Sequence, residues 1–364
     1  MSKALDEKFM TAALDLAVQG DRAVSPNPMV GAVLVRGGRI VARGYHRYFG
    51  GAHAEVDCLS RYRGDLTGTT MYVTLEPCSH YGKTPPCAQM LASTPIKRFV
   101  IAMVDPNPAV SGAGITILRT AGKRVDVGVL GGDAADLNRR FVRAVTRHRP
   151  YVHLKVAQTL DGKITKGGGG RDLITGPEAR RVVHAMRTDF DAVLIGANTV
   201  RVDDPRLTVR DMPGDDPHVV VLDGQLTLSP DARVIRASKK RTVYVIVTPS
   251  ALRQRRARAV ALARVGVQVL AVDATKGRLD LRKVLGVLYD EGIGSLLVEG
   301  GADVFGQFVA GGMIDEMSVF IAPVLAPRGV PAFPSGALAA AVSEASYMHT
   351  HDAGRDIWLH VMFD

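Results

Sequence analysis

The order of apolar and polar positions predicts alternating strands and helices over the first 150 residues. Apolar residues recur at helical spacing over residues 6–19. Two apolar runs, at residues 30–36 and 39–43, flank a pair of glycines, which is typical of a β-hairpin. Further predicted elements are helices at residues 52–61, 86–91 and 133–149 and strands at residues 70–75 and 98–104. This pattern indicates a layered sheet covered by helices.

The same alternation continues after a basic segment at residues 147–150, where we expect a domain boundary. Predicted strands occupy residues 151–156, 192–195, 218–222, 242–247, 267–272, 295–298 and 317–321. Predicted helices occupy residues 177–187, 250–265, 280–290 and 302–309. The length of 364 residues also favours two domains. We therefore expect two α/β domains, over residues 1–148 and 149–364.

The charge of the chain narrows the classes of partner. The formal net charge is +10, which suits anionic partners such as nucleic acid or phosphorylated substrates and cofactors. The densest basic cluster, at residues 253–258, lies in a predicted helix and is typical of a solvated helix face. No apolar run approaches the length of a membrane span, so no membrane partner is expected.

The three cysteines do not form a disulfide framework. The first eight residues contain acidic side chains and no apolar signal core, so secretion is not expected. Both features indicate a reducing, cytoplasmic location.

A cluster of metal-binding residue types gives the chain its first chemical hypothesis. His53 precedes Glu55 by two residues, and Pro77-Cys78 is followed by Cys87. One imidazole and two thiolates can hold one Zn²⁺ ion with a fourth position open. Zinc bound there would lower the pKa of its water to about 7, and Glu55 would move protons to and from it. This is the logic of the zinc nucleobase deaminases.

Two other interpretations of this cluster remain open at this point. The first is a nucleic-acid base deaminase with an accessory binding domain, although a basic stripe interleaved with aromatic residues is missing. The second is a structural zinc site, which needs four ligands and finds an obvious fourth only in His80.

Several segments of the first half resemble the deaminase half of the bifunctional riboflavin-biosynthesis deaminase/reductase family. They are SPNPMVG at residues 25–31, HAE at 53–55, EPCSHYGKTPPC at 76–87 and DPNP at 105–108. The resemblance implies a cytidine-deaminase-like layered-sheet domain. The implied substrate contacts are Asn27, His80, Lys83 and Asn107. Lys83 can pair with a phosphate as a point charge. Asn27 and Asn107 can recognise exocyclic groups, although turn formation beside proline is the alternative for these two asparagines.

The second half resembles the reductase half of the same family, from residue 151 to about residue 320. The segments are KVAQTLDGKIT at residues 155–165, ITG at 174–176, GANTVRVDDPRLTVR at 196–210 and VEGGADVFG at 298–306. The resemblance implies a dihydrofolate-reductase-like fold that uses NADPH. The implied cofactor contacts are Ala157, Leu173, Thr199, Asp203, Thr248, Gly301, Ala302, Asp303, Val304, Phe305, Gly306 and Gln307. The implied substrate contacts are Arg171, Arg187, Leu207, Arg210 and Glu299.

The chemistry of these residues fits a reductase. The glycines after Glu299 precede a predicted helix whose free N–H groups can bind phosphate. Arg187 and Arg210 can clamp phosphate, the alternative being ion pairs with acids such as Asp189 or Asp211. Asp203 is the first candidate for proton transfer and Lys155 the second, whereas Asp203 can also cap a turn.

One segment departs from the family. Where members often have a serine-rich segment with a tryptophan, residues 167–173 read GGGGRDL, and the single tryptophan is Trp358. Leu173 therefore supplies only apolar cover to the cofactor.

The resemblance implies two consecutive steps of riboflavin synthesis. The first is zinc-dependent hydrolytic deamination of 2,5-diamino-6-(5-phosphoribosylamino)pyrimidin-4(3H)-one. The second is NADPH-dependent reduction of the ribosyl chain, which gives 5-amino-6-(5-phosphoribitylamino)uracil. The expected partner is a small phosphorylated pyrimidine and not nucleic acid or membrane, and the chain is expected to form a homo-oligomer.

Overall fold

The chain folds as two compact units, Met1–His148 and Arg149–Asp364, each described by itself below. The structure, a computed structural model, describes residues 2–80, 86–108, 110–168, 173–275, 277–334 and 344–363. Helices both long enough and apolar enough to cross a membrane do not occur in these ranges.

The first unit is a five-stranded sheet with helices on both faces. Its strands are β1 (Gly31–Arg36), β2 (Arg39–Tyr45), β3 (Thr69–Leu75), β4 (Arg98–Met103) and β5 (Arg124–Val127). Its helices are α1 (Lys3–Ala17), α2 (Ala54–Ser60), α3 (Cys87–Ala92), α4 (Ala113–Thr120), α5 (Gly131–Leu137) and α6 (Arg139–Arg147). In the described residues the strand order is β2-β1-β3-β4-β5.

Alternate residues of these strands fill two apolar layers. Ala32 and Leu34 of β1 pack on one face, and Val33 and Val35 pack on the other. β3 is buried along its whole length, because helices cover both faces. β3 and β4 run parallel, so their carboxyl ends meet at one edge of the sheet, where Cys78 follows β3.

The second unit is built on a larger sheet. Its strands are β6 (Tyr151–Thr159), β7 (Ala192–Gly196), β8 (His218–Leu222), β9 (Val243–Val247), β10 (Val267–Ala271), β11 (Ala274–Thr275), β12 (Arg278–Leu279), β13 (Ser295–Gly300), β14 (Glu316–Ala322), β15 (Tyr347–Ala353) and β16 (Asp356–Met362). Its helices are α7 (Pro177–Asp189), α8 (Ala197–Asp203), α9 (Arg233–Arg236), α10 (Pro249–Gln254), α11 (Arg256–Arg264), α12 (Leu281–Asp290) and α13 (Ala302–Ala310).

Nine of the described strands form this sheet in the order β10-β9-β8-β7-β13-β6-β14-β16-β15, and β11 and β12 form a separate hairpin. The pairs from β10 to β14 are parallel, and β16 and β15 are antiparallel additions. Parallel strands direct their carboxyl ends to a common edge, which is where open α/β sheets bind ligands.

The structure corrects several predicted element boundaries. His53 is not inside the predicted helix at residues 52–61 but is its N-cap, in an extended conformation. The predicted helix at residues 133–149 is two helices, divided at Asn138, where the backbone has φ −99° and ψ 20°. The Asn138 side chain bonds both the N–H and the C=O of Met29. The predicted helix at 250–265 is likewise divided, at Arg255.

Other elements have no counterpart in the sequence prediction. They are α4, β5, α8, α9, the hairpin of β11 and β12, and the last two strands of the large sheet, β16 and the edge strand β15.

Candidate active sites

His53, Cys78 and Cys87 converge at one end of the first sheet. The Nδ1 atom of His53 lies 3.4 Å from the Cys78 sulfur and 3.3 Å from the Cys87 sulfur. All three ligand atoms lie within 4.8 Å of one another. An imidazole nitrogen and a thiolate sulfur bound tetrahedrally to one zinc ion are about 3.5 Å apart, given the usual Zn–N and Zn–S bond lengths. The three residues therefore fit a zinc ion held by three protein ligands.

Local structure places each ligand. His53 caps α2, and Cys87 is the first residue of α3, so both stand at helix N-termini. The Cys87 N–H donates to the Cys78 sulfur at 3.3 Å. Hydrogen bonds from the Cys87 thiol, the His53 ring and this N–H outweigh the effect of burial and lower the pKa of Cys78 well below that of an ordinary thiol. The Cys78 thiolate, the form that binds metal, is favoured even before a cation arrives.

Glu55 lies in the first turn of α2 and is 3% exposed. Burial raises the pKa of its carboxyl to about 7. A carboxyl with this pKa exchanges protons readily at neutral pH.

Glu76, which the sequence analysis gave no role, organises the surrounding loop. Its buried carboxylate accepts hydrogen bonds from the backbone N–H groups of Asp105, Gly112, Gly114 and Ile115, at 2.8 to 3.2 Å. The segment after β4 is thereby fixed to the end of β3, two residues before Cys78. The acceptor and its donors are about 30 to 40 residues apart in the chain, so spacing alone gives no signal.

The predicted substrate contacts of the first unit occupy different environments. Asn27 is half-buried and its Nδ2 lies 3.1 Å from Nε2 of the buried His46. The other ring nitrogen of His46 lies 3.0 Å from the Ala52 carbonyl, to which it donates, so Nε2 accepts from Asn27. His80 is exposed and Asn107 is half-buried, with its N–H bonded to Asp105.

One predicted contact of the first site is not described by the structure, and one neighbour of the metal-binding cluster was not predicted. Lys83 lies outside the described residues. His46, which the sequence analysis missed, packs its ring edge-on against His53, with the ring centroids 5.4 Å apart.

The second unit contains a cavity of about 1170 Å³ at the carboxyl ends of its parallel strands. Most residues predicted to bind cofactor or substrate line it: Ala157, Leu173, Arg187, Thr199, Asp203, Leu207, Arg210, Thr248, Glu299, Gly301, Ala302, Asp303, Val304, Phe305 and Gln307. Gly306 is buried inside α13 and is not on the wall. Arg171 lies outside the described residues.

The N-terminus of α13 forms one part of the wall. Gly301 is its N-cap and follows β13 through a cis peptide bond from Gly300. A Cβ atom on Gly301 would lie 3.3 Å from the Thr199 hydroxyl, so a glycine keeps this approach open. Gly301, Ala302 and Asp303 all line the cavity, which places the unpaired N–H groups of the first turn beside it.

A buried ion cluster forms a second part of the wall. Arg187 donates to both carboxylate oxygens of Glu299, at 2.6 and 2.8 Å, and Lys155 lies 3.4 Å from the same carboxylate. Burial alone would raise the pKa of Glu299, but Arg187 and Lys155 outweigh it and lower that pKa to about 2. The partner of Arg187 is therefore Glu299, 112 residues away, and not a nearby surface acid.

The remaining predicted residues have defined local roles. Asp203 is the last residue of α8, and Asp204 takes the left-handed cap position after it. Thr248 caps α10 and donates to the Gly224 carbonyl at 2.9 Å. Arg210 lies 3.2 Å from Nε2 of His184, a buried residue of α7 that also lines the cavity and was not predicted.

Comparisons with known proteins identify the family. Residues 3–103 match the cytidine and deoxycytidylate deaminase zinc-binding region, and residues 150–357 match the RibD C-terminal domain. These matches confirm the expected cytidine-deaminase-like and dihydrofolate-reductase-like folds.

Relatives that match over the whole chain belong to the same family as these domain matches. The chain is 41% identical to the riboflavin biosynthesis protein RibD of Aquifex aeolicus over 91% of this chain and 90% of the relative. Acinetobacter baumannii RibD superposes with a TM-score of 0.88 at 34% identity, with both chains fully covered. A Thermotoga maritima diaminohydroxyphosphoribosylaminopyrimidine deaminase/5-amino-6-(5-phosphoribosylamino)uracil reductase gives 0.81 at 36% identity, covering 100% of this chain and 99% of that one. The chain therefore belongs to the RibD family of bifunctional riboflavin-biosynthesis enzymes, with a zinc-binding deaminase domain followed by a reductase domain.

Proposed function

We propose that residues 1–148 are the deaminase domain and residues 149–364 the reductase domain, and that they act in succession on one phosphorylated pyrimidine. The first removes the 2-amino group of 2,5-diamino-6-(5-phosphoribosylamino)pyrimidin-4(3H)-one by hydrolysis. The second reduces the ribosyl chain of the product to ribityl. The observation that carries the proposal is the cluster of His53, Cys78 and Cys87 beside the buried Glu55.

Glu55 is the proton carrier of the first reaction. His53, Cys78 and Cys87 would hold the zinc ion, which when bound supplies a water activated for attack at neutral pH. Glu55 takes a proton from that water and returns one to the departing amine. Its pKa of about 7 supports both halves of the exchange.

The polar residues around the ligands would orient the pyrimidine. Because Nδ2 of Asn27 donates to His46, its Oδ1 is directed to accept from an exocyclic amine of the substrate. Asn107 and His80 would complete the recognition of the ring. Lys83 would pair with the phosphate as a point charge.

The cavity of the second unit would hold the cofactor and the opened ribose side by side. NADPH, when bound, supplies the hydride for the reduction. The first turn of α13 would bind the cofactor's pyrophosphate, with Thr199 and Thr248 at its sides and Leu173 as apolar cover. Hydride addition to the imine-like C1′ of the opened ribose leaves an electron pair on the attached nitrogen, and Asp203 would donate the proton that this nitrogen takes up.

Arg210 and the ion cluster would bind the substrate of the reductase. Arg210 lines the cavity, and the parallel N–H donors of its guanidinium can bind two phosphate oxygens at once. The guanidinium of Arg187 is already shared between Glu299 and the Thr208 carbonyl, so its proposed contribution is to fix Glu299 as a charged acceptor at the wall. Lys155, on the same carboxylate, is the second candidate for proton transfer.

The partner proposed for both domains is thus a small phosphorylated pyrimidine and not nucleic acid. We also propose that the protein is cytoplasmic and forms a homo-oligomer. Free thiols at Cys58, Cys78 and Cys87 fit a reducing compartment.

The test follows the two reactions separately. The protein is incubated with the diaminopyrimidinone ribotide and NADPH, and both ammonia release and NADPH oxidation are recorded. We expect both signals, with NADPH oxidation also on the deaminated product alone. Ammonia release with no NADPH oxidation on either substrate would restrict the activity to deamination.

A further inference from the structure

The loop at residues 204–217, between α8 and β8, carries two residues of the cavity wall, Leu207 and Arg210. Leu207 has a φ of +51° and is 5% exposed. Residues other than glycine rarely adopt this left-handed backbone conformation, so contacts with the surrounding structure have to stabilise it.

Arg241, two residues before β9, stabilises this backbone conformation. It is 6% exposed, and its guanidinium donates to the carbonyls of Leu207, at 2.5 Å, and Pro217, at 3.0 Å, as well as to that of Arg206. One side chain thereby joins the beginning and the end of the loop. Arg241 is not itself on the cavity wall.

The hydrogen-bond partners of the Arg241 guanidinium are backbone carbonyls. In the part of the chain that the structure describes, no carboxylate oxygen lies within 4.0 Å of its guanidinium. Burial of a cation is costly unless hydrogen bonds replace its hydration, and here three carbonyls accept from Nη1 and Nη2, while Nε is buried without a hydrogen-bond partner. If the side chain were shortened, the carbonyls of the buried residues Leu207 and Pro217 would lose this donor.

Neighbouring residues also form hydrogen bonds with the part of the loop next to Arg210. Arg187 donates to the Thr208 carbonyl at 2.9 Å, so two buried arginines bind three successive carbonyls of the loop. Asp216, near the end of the loop, accepts from the Val209 N–H at 2.7 Å. Arg210 is the next residue and its guanidinium lies against His184.

We infer that Arg241 is a positioning residue of the reductase, which acts through Leu207 and Arg210 on the binding of the phosphorylated substrate. The inference rests on the proposed reductase function. A displacement of the loop by about 1 Å is enough to cost a large factor in productive binding. The α13 turn that would bind NADPH is not held by Arg241, so cofactor binding is separable from the effect.

The experiment compares Arg241→Met and Arg241→Lys with Lys240→Met, which removes an exposed cation from the preceding position. KM and kcat for the deaminated pyrimidine ribotide, the Kd of NADPH by fluorescence and the melting temperature are measured for each. We expect Arg241→Met to raise KM about tenfold or more with a smaller change in kcat, while the Kd of NADPH changes less than about twofold. Arg241→Lys should recover part of the KM, and Lys240→Met should match the wild type.

Two outcomes overturn the inference alone: a wild-type KM in a folded Arg241→Met variant, or equal losses of substrate and NADPH affinity. If Arg241→Met does not fold, a folded Arg241→Lys with unchanged KM overturns it as well. A wild-type protein that oxidises no NADPH with the deaminated substrate contradicts the proposed function itself, whatever the variants do.

Discussion

The pKa values of two enclosed carboxyl groups, Glu55 and Glu299, are shifted in opposite directions. At Glu55 burial dominates and raises the pKa to about 7. At Glu299 the same effect is outweighed by Arg187 and Lys155, and the pKa falls to about 2. The first carboxyl can therefore gain and lose a proton at neutral pH, whereas the second stays charged. Neighbouring cations, and not depth, decide which chemistry each can perform.

Replacement of Glu55 by glutamine tests the proton carrier. Glutamine keeps the size of the side chain but cannot carry the proton, so we expect ammonia release to fall about 10²- to 10⁴-fold. The zinc content, measured by elemental analysis, should be unchanged, because Glu55 is not one of the three ligands. NADPH oxidation on the deaminated substrate is the internal control. Undiminished ammonia release would contradict the assignment of Glu55 as the proton carrier.

At the residue scale, the sequence predicts what is local and misses what the fold brings together. The cluster of His53, Cys78 and Cys87 could be predicted because these residue types at this spacing are informative by themselves. The partners of Glu76, His46 and Arg187 are distant in the chain, and their contacts depend on which strands and loops become neighbours. No pattern along the sequence records that adjacency.

At the scale of elements, burial on both faces makes strands easy to predict and exposure makes them hard. β7, β8 and β9 are runs of apolar residues because helices cover both sides of the sheet, and all three were predicted. β15 has only one buried residue, Ala353, so its hydrophobic signal is absent. The break between α5 and α6 falls at Asn138, whose side chain bonds Met29, more than a hundred residues earlier, and helical spacing along the sequence gives no signal of such a contact.

Gly114 tests the contact between α4 and the metal-ligand loop. A Cβ atom there would lie 2.0 Å from the Pro77 carbonyl oxygen, next to Cys78, so Gly114→Ala has to displace the helix or the loop. We expect a loss of about 2 kcal/mol or more in the free energy of unfolding, with reduced zinc retention. Denaturant unfolding and zinc analysis measure both.

The matched control is Gly132→Ala in α5, where a Cβ would meet no atom within 4 Å. Alanine should be neutral or slightly stabilising there, since it has the higher helix propensity. Equal stability of the two variants would refute the close contact at Gly114.

Asp6 ties α1 to the sheet, and its effect depends on pH. Its carboxylate accepts from Arg98 of β4 at 2.7 and 2.9 Å and from the Tyr72 hydroxyl of β3 at 2.6 Å. The hydrogen bonds from Arg98 chiefly lower the pKa of Asp6 below its usual 3.8. The carboxylate therefore stabilises the fold fully above about pH 4, and the stabilisation is lost as the pH falls through the lowered pKa.

Asp6→Asn should accordingly cost about 2 kcal/mol at pH 7, with a smaller difference from the wild type as the pH falls below 4. Urea unfolding of both proteins between pH 3 and pH 7 measures this. Asp15→Asn, at an exposed position of the same helix, is the control for charge removal. A gap between Asp6→Asn and wild type that is constant over this range would contradict the assignment.

At the scale of the molecule, the residues proposed for the two reactions lie in separate parts of the chain. The zinc ligands and Glu55 all lie between residues 53 and 87, on the short elements around one sheet edge. The residues of the reductase cavity lie between residues 155 and 334, at the edge of another sheet. The sequence could predict this division because distinct motifs stand on either side of residue 150.

Removal of zinc should therefore separate the two activities. Dialysis against a chelator takes away the ion that would activate water, so ammonia release from the diaminopyrimidinone ribotide should stop. NADPH oxidation with the deaminated substrate should continue, because all residues that line the reductase cavity belong to the second unit and none is a zinc ligand. Added zinc should restore ammonia release, which distinguishes loss of the ion from irreversible unfolding. Parallel loss of both activities, recovered together on zinc addition, would mean that the reductase depends on the metal site, contrary to the independence inferred from the placement of their residues.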